Sequence, residues 1–320
     1  MDIYYELKPG LIHRSALALG FFDGVHPGHQ SVIKKAVEEA RGGGSVPAVI
    51  TFAEHPRTLT LGKSPPLLTL LDQRLDLFSQ LGVAATLVLS FTEEICRLSP
   101  REYVEQVIVK AMGARTVSVG YNHRFGRNRE GDPQLLARLG EEFGFTVHVC
   151  PPVSANGIEV SSSRIREALE AGDVELAWKL LARPYSIRAA VVRGAGRGRA
   201  LGFPTANLAV AEEQILPGRG VYAGTTRFAD GRCLPSVINL GYRPTVTDAA
   251  VFVAEVHVLD LDEDFYGRNL EVDFRHFLRA EQRFAGPAEL KRQIESDCAR
   301  ARQLLSAGTG RPFPEGSLRA

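Results

Sequence analysis

Cysteine, methionine and tryptophan are all scarce in this 320-residue chain, at four, two and one. The four cysteines (Cys96, Cys150, Cys233 and Cys298) stand more than 50 residues apart. That spacing excludes a CxxC pair and a metal-type cluster, and reduced structural thiols are the expectation. No run approaches the 18 or so apolar residues of a membrane-spanning helix, and the first 30 residues lack the charged-then-apolar layout of a secretory leader. Net charge is only +1, so bulk electrostatics favour neither nucleic acid nor a membrane surface. Lysine is sparse as well, with 7 against 31 arginines. That bias fits genomic composition better than function, although guanidinium groups do suit phosphate. The absences point to a cytoplasmic protein acting on small molecules, and they leave its oligomeric state open.

What is present is enough apolar residue, 44% of the chain, for two domains with separate cores. From Ser15 to about Cys150, short apolar runs alternate with helical patterns. Strands are expected at Ala16–Leu19, Val46–Phe52, Ala85–Phe91, Thr116–Val119 and Phe145–Val149. Helices are expected at Gln30–Arg41, around Asp72–Gln80, from Pro100 to about Met112 and at Pro133–Phe143. This alternation predicts a doubly wound parallel sheet with helices on both faces, whose ligands sit at the carboxyl ends of the strands. Two short helices, Ser163–Glu170 and Asp173–Leu181, lead to Arg183-Pro184, where the pattern changes. Short β-rich runs follow at Ser186–Val192, Val221–Phe228, Leu234–Asn239, Phe252–Leu259 and Leu270–Phe274, with an Asp230-Gly231 hairpin signal. They predict a small antiparallel barrel with a closing helix at Pro287–Leu305. The expected domains are 1–183 and 184–306, with a mobile tail at 307–320.

The first sheet strand runs into Gly20-Phe21-Phe22-Asp23-Gly24-Val25-His26-Pro27-Gly28-His29. A helix start offers free amides and a positive dipole end, which suit a phosphate. Gly24 and Gly28 permit close backbone approach, and His26 and His29 can donate to phosphate oxygens whose charge grows in a transition state. Zinc would need a third protein ligand nearby, and none is at suitable spacing.

The second phosphate-handling stretch is Val192-Arg193-Gly194-Ala195-Gly196-Arg197-Gly198-Arg199, followed by Gly202-Phe203-Pro204-Thr205-Ala206-Asn207. A dinucleotide fingerprint fails because Arg199 replaces its third glycine, and a Walker loop fails because no Gly-Lys-Ser/Thr closes this segment. A flexible loop remains, able to wrap phosphates with the amides of Gly194, Gly196, Gly198 and Gly202. Thr205 and Asn207 supply hard oxygen ligands suited to Mg²⁺. A plain glycine-arginine surface loop is the alternative.

Taken together, these stretches resemble the bacterial bifunctional riboflavin kinase/FAD synthetase family. The first motif is similar to the (H/T)xGH nucleotidyltransferases, and Gly120-Tyr121-Asn122-His123-Arg124-Phe125-Gly126 and Ser161-Ser162-Ser163-Arg164-Ile165-Arg166 resemble that module's later segments. The second half resembles riboflavin kinases through Gly202–Asn207, Asn239-Leu240-Gly241-Tyr242-Arg243-Pro244-Thr245, Glu255-Val256-His257 and Leu278-Arg279-Ala280-Glu281. The resemblance implies a Rossmann-like nucleotidyltransferase followed by a kinase barrel, using riboflavin, FMN, FAD and ATP with Mg²⁺. It implies that His26 and His29 stabilise the ATP α-phosphate, among nucleotide contacts from Gly20, Phe22, Asp23, Gly24, Gly28, Asn122, Ser162, Ser163 and Arg166. It further implies flavin contacts from Phe125, Arg279 and Glu281. Glu255 becomes the general base for the ribityl hydroxyl, although alone it reads as the solvent-facing residue of an alternating strand. Two departures stand out: Asn122-His123 where an acidic and an aromatic residue are common, and Glu54-His55-Pro56 in place of Pro-His-Pro. A kinase whose transferase half has weakened is the second reading.

Overall fold

A computed structural model describes residues 1–55, 64–194, 198, 201–243 and 251–307. Gly196, Pro244, Thr245 and the expected tail from Gly308 fall outside the described residues. By compactness the chain divides into Met1–Ser162 and a second unit from Ser163 onward.

The first unit is a six-stranded parallel sheet. Its strands are β1 (Asp2–Tyr4), β2 (Ser15–Leu19), β3 (Val46–Phe52), β4 (Ala85–Leu89), β5 (Ala114–Gly120) and β6 (Thr146–Cys150), in the spatial order β1-β4-β3-β2-β5-β6. Between them run α1 (Pro27–Gly43), α2 (Leu71–Gln80), α3 (Glu93–Arg97), α4 (Pro100–Tyr103, continuing with π-type winding over Val104–Ala111) and α5 (Pro133–Phe143). All five residues of β2 are buried, the signature of a strand covered on both faces. On one face Ala18, Val49 and Val88 meet Ile33 and Ala36 of α1 and Leu75 and Phe78 of α2. On the other, Leu17, Ile50 and Leu87 meet Val104, Val107, Ile108 and Leu136. Each such fully buried aliphatic side chain contributes roughly 1.5–3 kcal/mol relative to exposure. Helix α1 starts where Pro27 can no longer donate and stops at Gly44, whose φ of 63° ends it in a left-handed cap. A small hairpin, β7 (Ser154–Ala155) with β8 (Ile158–Glu159), completes this unit.

The second unit begins with α6 (Ser162–Glu170, its first residue belonging to the sheet unit) and α7 (Val174–Leu181), the latter capped by the Asp173 carboxylate accepting from the Leu176 amide. It then forms a closed antiparallel barrel in the order β10-β13-β12-β11-β14-β9. The strands are β9 (Tyr185–Val192), β10 (Ala206–Ala209), β11 (Gly220–Arg227), β12 (Cys233–Arg243), β13 (Val251–Val258) and β14 (Asn269–Arg279), and α8 (Pro287–Ala307) follows. Alternation sends Ile238, Leu240, Ala254 and Val256 to one face, each at most 3% exposed. On the opposite face Val221, Ala223, Val237 and Leu278 pack under Cys298, Ala301 and Leu305 of α8. The barrel strands that α8 covers are therefore buried on both sides. Among the described residues, no helix is long and apolar enough to cross a membrane.

The expected α/β sheet followed by an antiparallel barrel and a C-terminal helix is what the chain forms. Strand β10 had no sequence expectation, because its four residues follow Gly202, Pro204 and Thr205, which read as a turn. Strand β14 extends well past Phe274, through register shifts that let Val221 pair with Arg279. At one of these shifts Gly224 lies so close to the Asp273 carbonyl that a Cβ would overlap it. Gly224→Ala is therefore expected to destabilise the barrel by about 2 kcal/mol. An unchanged thermal unfolding midpoint would show that the bulge can yield.

Candidate active sites on the two units

In a parallel sheet, loops that leave two neighbouring strands in opposite directions open a crevice at their carboxyl ends. That switch lies between β2 and β5, which pair directly, Ala18 opposite Ser118. The turn after β2 is tightly wound: Phe22, Gly24 and Val25 have φ of 59°, 82° and 40°. Gly20 admits no side chain, since a Cβ would come within 2.8 Å of the Phe22 ring. His26 caps α1, its Nδ1 accepting from the His29 amide at 3.4 Å. That bond leaves Nε2 as the donor of the neutral His26 ring. The two imidazoles stack with centroids 3.6 Å apart. Gly28 makes room, because a Cβ there would press to 3.2 Å on the His26 ring. The two histidines thus share one helix start, where the amide dipoles favour an anion.

Asp23 has a defined task. Its buried carboxylate accepts from the amides of Leu68 (2.9 Å) and Thr69 (3.0 Å), while the Thr69 hydroxyl accepts from the Gly24 amide (2.9 Å). The Asp23 carbonyl accepts from the Ser162 hydroxyl at 3.0 Å. Ser163 and Arg166 follow on the same helix, Arg166 buried. Across the switch, Asn122 is exposed in the loop after β5, whereas Phe125 is buried in the core against Tyr103 at 5.9 Å. His123 stacks on Phe125, and burial pushes its imidazole down to about 4, so it is neutral at physiological pH. The Glu54 carboxylate accepts from the Phe91 amide at 3.4 Å and is held at the end of β4.

In the barrel, register does the assembling. One row of opposed residues runs Val192, Asn207, Glu255, Asn239, Val221 and Arg279 across six strands. Directly opposed residues share a face with Cβ atoms about 5 Å apart, so Glu255 stands between two asparagines, each half-buried. Thr205 and Asn207 line a cavity of about 310 Å³ with Gly194, Arg193, Glu263 and Tyr266, and the Arg193 guanidinium lies 4.8 Å from the Tyr266 ring centroid. Gly194 touches the Asn207 amide so closely that any side chain would overlap it, and Gly198 accepts from the Phe203 amide at 2.9 Å. Gly202 takes φ of 88°. His257 Nδ1 is 2.8 Å from the Pro204 carbonyl, which only a ring N–H can satisfy, and this pins the segment.

Arg279 and Glu281 face other tasks in this structure. The Arg279 guanidinium is paired with the buried Asp297 of α8 at 2.8 Å, and Gln293 also donates to Asp297 at 2.9 Å. The Glu281 carboxylate lies against Gly241, where a Cβ would overlap it. Sequence reasoning gave no role to the Leu68–Thr69 tether, Asp297 or Tyr266. Of these, only Tyr266 carried a local signal, an aromatic beside a glycine.

A stacked histidine pair on a helix start in one unit and a Thr-Asn-Glu cluster on a barrel in the other define a two-unit transferase of phosphate groups. The FAD synthetase family model matches residues 9–164, and the riboflavin kinase family model matches 181–305. The chain is 37% identical over 308 residues to a bifunctional riboflavin kinase/FMN adenylyltransferase of Pseudomonas fluorescens, covering 96% of this chain and 98% of that one. It is 37% identical over 290 residues to the protein of the same description from Escherichia coli K12, covering 90% and 92%. A crystal structure described as a macrolide-efflux protein of Streptococcus pneumoniae superposes with a TM-score of 0.85 at 27% identity, covering 94% of this chain and 99% of that one. The chain belongs to the bifunctional riboflavin kinase/FMN adenylyltransferase family, and carries both transferases in one polypeptide.

Asp23→Asn leaves one acceptor where two amides are now held by a charged group. A loss of about 2 kcal/mol is expected, since bonds to charged groups contribute roughly 1.5–3 kcal/mol. Chemical denaturation of the variant checks this, and stability equal to wild type would mean that the tether is dispensable.

Proposed function

We propose that the barrel unit phosphorylates riboflavin and the sheet unit adenylylates the FMN so formed, through the residues gathered at each site. In the kinase step the ribityl 5′-hydroxyl attacks the γ-phosphorus of ATP, ADP leaves and Glu255 takes the hydroxyl proton. Phosphoryl transfer asks mainly for alignment and charge stabilisation, with a carboxylate to orient the nucleophile. The observation that supports this assignment best is the register row, which sets Glu255 directly opposite Asn207 at the cavity edge. The loop glycines Gly194, Gly198 and Gly202 contribute backbone amides to phosphates, and Gly196 is assigned the same role from sequence alone. Arg279 and Glu281 form the flavin side, Arg279 through its hold on α8.

The hydroxyl of Thr205 and the amide oxygen of Asn207 fit Mg²⁺, which favours hard oxygen donors and keeps several waters. Among the described residues no group of three or more His, Cys, Asp or Glu is placed to hold a metal, so these neutral oxygens and the substrate phosphates would share that ion. It would supply neutralisation of the charge growing on the phosphates.

In the second step an FMN phosphate oxygen attacks the α-phosphorus of a second ATP and pyrophosphate leaves. His26 and His29, at the start of α1, donate to the α-phosphate as its charge builds. The Gly20–Gly28 turn, Ser162 and Asn122 are assigned to the nucleotide; Ser163 and Arg166 are assigned to it, and Phe125 to the flavin, from the sequence resemblance alone. Glu54 is compatible with this because its carboxylate is occupied by the Phe91 amide. The functional border is placed at Arg183-Pro184. A cytoplasmic location agrees with four free thiols and with the supply of ATP.

Glu255→Ala is expected to abolish FMN formation while leaving adenylylation of supplied FMN intact. His29→Ala should do the converse, with a loss of about 2–4 kcal/mol of transition-state stabilisation. Time courses of purified protein with riboflavin, ATP and Mg²⁺, resolved by chromatography, check both. FMN that accumulates without FAD in the wild type would leave only the kinase reading standing.

A further inference from the structure

The sheet unit contains a cation that neither reaction above uses. Arg74 stands on the inner stripe of α2 with Leu71, Leu75 and Phe78, and none of its surface is exposed. Burying a guanidinium costs several kcal/mol unless its environment compensates. The compensation here comes from the carboxylates of Asp23 and Asp72, whose charge favours the cation, and from a set of backbone and hydroxyl oxygens. Nη1 donates to the carbonyls of Phe21 (2.8 Å) and Phe52 (3.1 Å) and to the Thr51 hydroxyl (3.2 Å), and Nη2 donates to the Ala53 carbonyl (3.3 Å). Its plane lies over the Phe21 ring at 4.2 Å. The Thr51 hydroxyl also donates to the Phe21 carbonyl, at 3.0 Å. Burial lowers the group to about 10, so it carries its charge at neutral pH.

These acceptors share one location. Phe21 follows β2, Phe52 ends β3, the strand beside it, and Ala53 comes next in the chain. At the carboxyl edge of a parallel sheet the last carbonyls have no strand partner, and their partial negative charge would face an arriving triphosphate. A buried cation that collects them does two things at once. It turns their oxygens inward, away from the crevice, and it anchors Phe21, the second residue of the turn that carries His26 and His29.

We propose that Arg74 is a positioning residue for adenylyl transfer, holding the carbonyls of Phe21, Phe52 and Ala53 inward so that the turn presents the start of α1 to the triphosphate. This rests on the reading that the sheet unit adenylylates FMN. Phosphorylation of riboflavin by the same chain supplies an internal control for a properly folded sample.

The test uses the full chain with Arg74→Met, Arg74→Lys, Arg74→Ala and Thr51→Val. Arg74→Met is expected to lower kcat for FAD formation about a hundredfold, the scale on which small misplacements act, with KM for ATP changed less and riboflavin phosphorylation unchanged. Arg74→Lys, which restores charge but not the fork, should recover part of that loss, and Thr51→Val should lower kcat in the same sense by a smaller factor. In Arg74→Ala, added guanidinium at low millimolar concentration should raise FAD formation without affecting FMN formation. Wild-type kcat in a folded Arg74→Met chain would overturn the proposal. So would losses in all variants that follow only their melting temperatures, without recovery by lysine or guanidinium. Failure of the wild type itself to form FAD would instead overturn the transferase reading on which the proposal rests.

Discussion

The sheet unit depends on one placement: β2 is buried on both faces and hydrogen-bonded along both edges, by β3 and β5. A strand so enclosed can deliver its chain only at the carboxyl edge, and the neighbouring crossovers diverge there. The strained turn follows from that confinement. Three residues within four positions take positive φ, two of them with side chains, and such backbone costs of order 1–3 kcal/mol per residue. It persists because Asp23, Thr69, Arg74 and Ser162 each hold a different part of it. Rigidity of this kind places the histidines before a ligand arrives, so ordering them is part of folding and not of binding.

The barrel reaches the same end differently. Closure leaves no free edge along which a strand can slide, and a one-residue slip would turn Glu255 from the outer face to the core. Asn207, Glu255 and Asn239 come from three different strands, and pairing alone aligns them. On the proposed assignment, one unit sets a helix dipole and imidazole donors against charge building on an α-phosphate. On the same assignment, the other sets a carboxylate to take a proton. The two chemistries need different electrostatic surroundings, which separate cores provide.

The sheet's alternation was legible because each element has its own period, and Val46–Phe52 and Pro133–Phe143 fall where the pattern places them. So was the histidine turn, whose glycines and Pro27 are local signals. Strand β10 was not, since its neighbours Gly202 and Pro204 speak for a turn, and only pairing with β9 and β13 makes it a strand. The tasks of Asp23 and Arg74 were equally hidden. Their partners lie 45 and up to 53 residues away, and a backbone amide or carbonyl acceptor leaves no trace in the side-chain sequence. Arg74 did leave one mark, a charge on the apolar stripe of an amphipathic helix. Arg279 shows the converse: its motif was visible, but not that Asp297 would claim its guanidinium.

The clasp between Arg279 and Asp297 also orders events during synthesis. The two described cores of the sheet unit reach as far as Cys150 and the unit ends at Ser162, so that half can fold while the barrel is still being translated. The barrel cannot finish until Asp297, on its last helix, has left the ribosome to meet Arg279 and cover Val221 and Val237. Each new chain therefore completes the half that consumes FMN before the half that makes it.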